Sequence, residues 1–233
     1  MSVEPSPNRD EFCTSSAWRS PGAVRFYNRI APFYDHMHRL WLRIGGTRTM
    51  AAIQGCAAAV LRPTDTVLDA ACGTGDLARR LLAIEPDIQL TLLDAAPAML
   101  ARTADIGGLR MKADIRKLPF PDRSFDLVFC TWALETLPHG MDRAVVEFVR
   151  VLKPGGILCC SVCSEPQRHR SRVATYPIRL FIKLVCFGRF LSLASLPTPP
   201  GCTRRDLTSH NLRITFHITA ALPDLCPNAH VPG

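Results

Sequence analysis

The sequence predicts a doubly wound α/β fold with a mostly parallel sheet, and three observations predict it. Between Thr66 and Val162, short apolar runs of strand type alternate with amphipathic helical stretches. The runs are apolar throughout rather than at every second residue, as strands buried on both faces are. A turn bearing two glycines, Cys72-Gly73-Thr74-Gly75, joins the first run to the first of these helices. Right-handed crossovers then lay helices over both faces of the sheet.

The elements follow in order. Residues 1–22 are rich in Pro, Ser and charge and are expected to be disordered or loosely attached. Residues 23–60 show helical spacing, with Phe26, Ile30, Phe33, Tyr34 and Met37 on one stripe, and Pro32 splits or kinks the helix. The core, residues 61–163, opens with a strand at Thr66–Ala70 and a helix at Asp76–Glu85 stopped by Pro86. A strand at Ile88–Leu93 and a helix at Pro97–Ala104 come next, proline being tolerated in a first helical turn. Strands at Leu109–Ala113 and Phe125–Cys130 precede a helix over Asp142–Leu152. Lys153-Pro154-Gly155-Gly156 ends that helix, and Ile157–Val162 is the fifth strand. In the C-terminal part, residues 164–233, the pattern gives a helix at Tyr176–Leu196 and a linker at Pro197–Gly201. A short helix at Thr203–His210 and a strand at Leu212–Thr219 follow, before a proline-broken tail.

Composition narrows the class. With 233 residues, 47 % apolar and 21 % charged, the chain reads as a soluble globular protein. A chain of this length buries about 70 % of its unfolded surface and needs no disulfide or metal to fold. The N-terminal stretch has no apolar signal core, so a cytoplasmic, reduced protein is expected. The ten cysteines are scattered, and the single C-x-x-C, Cys160 to Cys163, has no second pair or histidines at ligand spacing. Cysteine there acts as a small hydrophobe in a strand, and no metal is expected. The net charge of +8 is uneven: residues 164–233 carry nine Lys/Arg against three Asp/Glu. That imbalance fits either an anionic partner or an arginine-rich solvated surface; no nucleic-acid partner is expected.

The glycine turn carries the chemistry. In a doubly wound sheet, ligands bind at the carboxyl ends of the strands where strand order reverses. Gly73 and Gly75 permit positive φ and close approach of backbone to a ligand. Asp94 ends the next strand, 19 residues after Gly75, where a carboxylate can accept hydrogen bonds from both ribose hydroxyls of a nucleoside. A dinucleotide site of the G-x-G-x-x-G kind seats a pyrophosphate on a helix N-terminus. Here Ala78 stands at the third glycine position and Asp76 at the helix start, and a carboxylate there repels pyrophosphate. Asp69 and Asp76 suit a ligand carrying an ammonium and a sulfonium, so S-adenosylmethionine is favoured over NAD.

Residues 66–163 resemble a class I S-adenosylmethionine-dependent methyltransferase, particularly the ubiquinone/menaquinone-biosynthesis type. The matching segments are Val67–Asp76 (VLDAACGTGD), Leu92–Leu100 (LLDAAPAML), Ala113–Phe125 (ADIRKLPFPDRSF), Asp126–Leu137 and Arg150–Gly156 (RVLKPGG). Phe26–Asp35 (FYNRIAPFYD) resembles the helix that lids the cofactor in that group, and the match covers about 60 % of the chain. The resemblance implies a Rossmann-like fold with 23–60 as the lid and S-adenosyl-L-methionine as cofactor. The backbone of Asp69, Ala70, Ala71, Gly73, Thr74 and Gly75 would surround the methionine part, with Thr74 contacting it. Asp94 would hold the ribose, with Ala95 and Met99 beside it in the next turn. Asp114 and Ile115 would lie against the adenine, Thr131 beside the methionine moiety and substrate, and Tyr34 would close the site from above.

The acceptor is less legible. The base, if the reaction uses one, has four candidates by position: Glu135 and His139 after the fourth strand, and His36 or His38 after Tyr34. A helical wheel over 178–196 groups Arg179, Lys183 and Arg189 beside Phe181, Ile182, Val185 and Phe187. Such a stripe fits either an interfacial helix at a membrane surface or a helix packed on the sheet edge. The first would favour a lipophilic acceptor, a quinone precursor or a phospholipid. The alternative function is a non-catalytic protein that binds S-adenosylmethionine and acts through its basic C-terminal region. The family's C-terminus adds two antiparallel strands, and here only Leu212–Thr219 reads as one.

Overall fold

A computed structural model describes residues 21–137, 139–165, 173, 175–185, 189–191, 196–200, 202–203 and 215–217. Three helices lead: α1 (Pro21–Ile30), α2 (Tyr34–Trp41) and α3 (Thr47–Val60). A 3₁₀ turn at Ala31–Phe33, set by Pro32, separates the first two, and a π-helical segment at Leu42–Gly46 separates the last two. The predicted break at Pro32 is therefore present. Phe33 leaves the predicted apolar stripe, because the tighter turn rotates it to 69 % exposure.

The sheet strands are β1 (Thr66–Ala70), β2 (Gln89–Asp94), β3 (Leu109–Lys112), β4 (Phe125–Thr131), β5 (Leu152–Ser164) and β6 (Thr215–His217). Their order is β3-β2-β1-β4-β5-β6, parallel through β5 with β6 antiparallel at the edge. Helices α4 (Asp76–Ile84), α5 (Pro97–Leu100) and α6 (Met141–Val151) cover the faces, and α7 (Tyr176–Val185) follows β5. The fold is the Rossmann-like, doubly wound α/β arrangement that the strand and helix alternation predicts. Strand order reverses between β1 and β4, which puts the ligand crevice at their carboxyl ends.

Successive strand residues feed opposite faces, and both faces are buried. Leu68, Val128 and Leu158 pack with Val145 and Phe148 of α6. Val67, Leu92, Leu127 and Phe129 pack with Ile53 of α3 and with Leu77 and Leu81 of α4. That two-sided burial is why these strands lack polar alternation. Cys159, Cys160 and Cys163 are buried in β5, where they fill space as small apolar side chains.

Three predicted boundaries change. Lys153–Gly156 lies within β5 instead of separating helix from strand: Phe125 pairs with Leu152, then Leu127 with Ile157, so the intervening residues bulge from the ladder. Gly155 adopts φ +75°, and a Cβ on Gly156 would stand 2.8 Å from the Asp126 carbonyl, so the bulge needs both glycines. The helix from Pro97 keeps its α form only to Leu100 and tightens to 3₁₀ over Ala101–Thr103. Helix α7 stops at Val185 rather than reaching Leu196. Leu191 instead bridges to Ser164, its N–H donating to the Cys163 carbonyl at 2.8 Å. Strand β6 is three residues of the predicted Leu212–Thr219; the rest of that stretch, the predicted helix after Thr203, and residues 1–20 lie outside the described residues.

The N-terminal helices sit over the carboxyl ends of β1 and β2. Asn28 Oδ1 accepts the Ala98 N–H at 2.9 Å, and Asp35 pairs with Arg102 at 2.7 Å. Ala31 packs on Ala96 and Met99.

Candidate cofactor site

The turn after β1 is built from backbone. Ala71, Gly73 and Gly75 have φ of +62°, +56° and +82°. The Cys72 N–H donates to the Leu93 carbonyl and the Gly75 N–H to the Cys72 carbonyl. The two glycines serve different ends. A Cβ on Gly75 would fall 2.3 Å from Ile106 Cδ1, so this glycine answers to packing and to the left-handed start of α4. A Cβ on Gly73 would meet only Tyr34 Cε1, at 3.9 Å, so Gly73 borders open space under the lid.

Three carboxylates crowd the strand ends. Asp94 Oδ2 accepts the Gly73 N–H at 2.9 Å and Oδ1 the Ala96 N–H at 2.8 Å. Burial raises its pKa above the ordinary carboxylate value against those bonds. Asp69 is fully buried and neither carboxylate oxygen has a hydrogen-bond partner. Burial, then the neighbouring Asp94 and Asp76 charges, pushes its pKa up to about 7. Asp76 behaves oppositely: burial would raise it, but His38 and Arg80 hold it near about 2. Arg80 reaches it at 3.0 Å one turn along α4, and His38 Nε2 lies 3.4 Å away.

A cleft open to solvent lies between the lid and the sheet, with Asp76 and His38 on its wall. Of the residues the sequence singles out, Tyr34, Ala71, Gly73, Thr74 and Thr131 line it. Asp69, Ala70, Gly75, Asp94, Ala95, Met99, Asp114 and Ile115 do not. Met99 is buried against the lid helix, and Ile115 packs in the core beside Leu118 and Phe120. The Asp114 carboxylate takes the Arg116 guanidinium in a fork, with the shortest contact 2.6 Å, and also accepts the Arg116 N–H. The sequence reading missed Arg116, which stands two residues along the same loop. It also missed Thr74's place beside Asp35: burial raises the Asp35 pKa, but the Thr74 side chain and Arg102 bring it below the ordinary value.

Of the four candidate bases, only His38 lines the cleft. His36 and His139 are exposed. Glu135 is buried behind β5, where Oε1 accepts the Cys163 N–H at 3.2 Å, and burial pushes its pKa up to about 7. His38 stacks on Tyr34 with centroids 5.7 Å apart and meets Trp132 edge-on at 5.6 Å. Trp132, another residue the sequence reading passed over, follows Thr131 with φ +51° and lines the same cleft.

The site fits a cationic nucleoside. Asp69 is an orphaned buried carboxylate, Asp94 keeps acceptor capacity beside its two backbone bonds, and Gly73 leaves room under Tyr34. A dinucleotide pyrophosphate would meet the ionised Asp76 at the start of α4. Strand order and the turn after β1 are those of a doubly wound α/β fold with its ligand crevice at the β1/β4 switch point.

Residues 68–160 match the family model described as a methyltransferase domain. The chain is 35 % identical over 157 residues to the ubiquinone/menaquinone biosynthesis C-methyltransferase UbiE of Ectopseudomonas mendocina, covering 60 % of this chain and 57 % of that protein. It is 33 % identical over 153 residues to the demethylmenaquinone methyltransferase of Symbiobacterium thermophilum, covering 60 % and 58 %. The chain thus spans little more than half the length of the curated relatives it matches. Among solved structures, the YcgJ protein of Bacillus subtilis superposes with a TM-score of 0.57 at 21 % identity, covering 70 % of this chain and 71 % of that one. A SAM-dependent methyltransferase of Thermotoga maritima gives 0.61 at 18 %, covering 84 % and 98 %. Both are likenesses of fold.

Proposed function

We propose that the chain transfers the methyl group of S-adenosyl-L-methionine to a small lipophilic acceptor of the quinone-precursor class. The observation that carries the cofactor is Asp69, a fully buried carboxylate with no partner, beneath a turn that Asp94 clamps. A ligand cation offsets the cost of burying that charge. The cofactor would supply an electrophilic methyl on a sulfonium that leaves as a neutral thioether. Gly73, Thr74 and Thr131 would hold the methionine end, Asp94 the ribose, and the Asp114–Ile115 loop the adenine. With Arg116 on its carboxylate, Asp114 would serve the adenine through loop shape and its remaining acceptor capacity. Tyr34, His38 and Trp132 would exclude water and hold acceptor and methyl in line. Such orientation contributes roughly 7–11 kcal/mol to reactions of this kind.

The acceptor class rests on the names of the relatives, both quinone-pathway methyltransferases. Peripheral membrane contact through 178–196 is part of the same proposal, and the geometry narrows its basis. Arg179 lies 3.8 Å from Glu165 and over the Phe190 ring. Arg189 falls after α7, its N–H on the Glu135 carbonyl and its guanidinium on the Leu137 carbonyl. Lys183 and Arg189 are exposed, and of the two Arg189 is the one held by internal carbonyls. Among the described residues, no helix is long and apolar enough to cross a membrane.

The test is to incubate the protein with methyl-labelled S-adenosylmethionine and a lipid extract, and to identify the labelled product. A labelled quinone supports the proposal, and a labelled phospholipid corrects the acceptor. Saturable cofactor binding with no labelled product would favour the non-catalytic alternative.

A further inference from the structure

We infer that His38 and Asp76 form an acid–base dyad in which the lid imidazole takes the acceptor's proton during methyl transfer. The inference rests on the methyltransferase reading and names a residue role within it. His38 comes from α2 and Asp76 from the start of α4, and the two meet across the cleft wall at 3.4 Å between Nε2 and Oδ2. The imidazole side chain is 12 % exposed, so its remaining accessible edge belongs to the cleft it lines. The plane of the ring is fixed from two sides, by stacking on Tyr34 and by the edge of Trp132. Asp76 is itself fixed, since Arg80 grips both carboxylate oxygens and reaches Gln54 at 3.1 Å.

This is the arrangement a positioned base needs: a nitrogen toward the reacting atoms, the other toward a group that orients the ring and stabilises its cation. With Nε2 toward Asp76, Nδ1 is the nitrogen left for the acceptor. At 3.4 Å the buried Nε2 makes no hydrogen bond to Asp76 in this structure, and contacts of this type tighten when a lid closes on substrate. The groups that meet His38 are Tyr34 on its own helix, Asp76 on α4 with Arg80 paired behind it, and Trp132 after β4, while Cys72 lines the same cleft. The ionised Asp76 is the nearest charge among them.

The step balances without a further reactant. The acceptor, a carbon, nitrogen or oxygen bearing hydrogen, uses a lone or π pair to form its bond to the methyl carbon. The methyl–sulfur pair departs with sulfur, and the acceptor–hydrogen pair stays on the acceptor. The proton passes to Nδ1, giving an imidazolium beside Asp76. A water at the cleft mouth takes that proton before the next turnover.

The test uses the full chain and two readouts. Nitrogen NMR of the imidazole, with adenosylhomocysteine bound, is expected to show the Nε2–H tautomer, and Asp76→Ala is expected to lose that preference. A predominant Nδ1–H tautomer, or a preference kept in Asp76→Ala, overturns the dyad whether or not an acceptor is known. With reduced demethylmenaquinone as acceptor, His38→Gln is expected to lower kcat about 10²–10⁴-fold and to abolish the acid limb of the pH profile. Adenosylhomocysteine affinity should change less than about threefold. Full activity in His38→Gln with an unaltered pH profile refutes the role. An inactive wild type that retains the dyad in NMR counts against the acceptor assignment and leaves the dyad standing.

Discussion

Asp94 at the end of β2 accepts the Gly73 N–H at 2.9 Å, so a carboxylate from one strand fixes the turn that follows its neighbour. One side chain thereby shapes the methionine end of the cleft and stays placed to meet a ribose. Replacing it removes both functions. Asp94→Ala is expected to weaken S-adenosylmethionine binding by about 1.5–3 kcal/mol, the scale of hydrogen bonds to a charged group. Titration calorimetry reads this directly, and an unchanged affinity would remove Asp94 from the site.

Asp69 and Glu135 set the pH dependence of stability. Both have folded pKa values raised by burial to about 7, from 3.8 and 4.5. Between those limits the folded chain binds more protons than the unfolded one, so stability falls as pH rises from about 4 through about 7. Each group contributes on the order of 3–4 kcal/mol to that fall. Urea midpoints measured without ligand from pH 4.5 to 8 should decline, and Asp69→Asn should flatten the decline. The cationic cofactor acts in the opposite sense, favouring ionised Asp69, so its affinity should rise with pH across the same range.

Gly75 and Gly73 separate stability from binding. Gly75→Ala drives a Cβ into Ile106 in a left-handed conformation and should destabilise the fold by about 2–3 kcal/mol, visible in thermal melting. Gly73→Ala carries the left-handed cost alone, about 1 kcal/mol, and should fall chiefly on cofactor affinity.

A charge reversal spread over Arg179, Lys183 and Arg189 would also break internal contacts, so the cleaner probe is Lys183→Glu. If α7 touches a membrane, this variant floats less well than wild type with anionic liposomes and melts at the same temperature. Equal, negligible flotation of both would end the idea.

What the sequence made legible was local. The strand Thr66–Ala70, the turn at 71–75 and the acid at 94 are fixed by apolar runs, glycine and spacing, each within some 30 residues. What it hid depends on distant partners. Leu191, inside the stretch the periodicity reads as helix, bridges to Ser164, a pairing that no helical periodicity encodes. Arg116 occupies Asp114 through a side-chain fork that the motif pattern leaves unspecified. His38 and Trp132 meet across 94 positions only because the lid folds over β4. His38 was readable as one histidine among three, and its burial in the cleft is what distinguishes it.

The lid's attachments have a kinetic consequence. Asn28 on Ala98 and Asp35 on Arg102 are hydrogen bonds at the rim, the second about two-fifths exposed, and each is worth about 1 kcal/mol or less. Behind them pack Ala31, Ala96 and Met99 with the partly buried Val24, Tyr27, Ile30 and Tyr34. A lid whose polar latches are this weak would open on the microsecond-to-millisecond scale of lid motions. Product escape would then be quick beside a slow chemical step, and a tighter latch would trap spent nucleoside and slow the cycle.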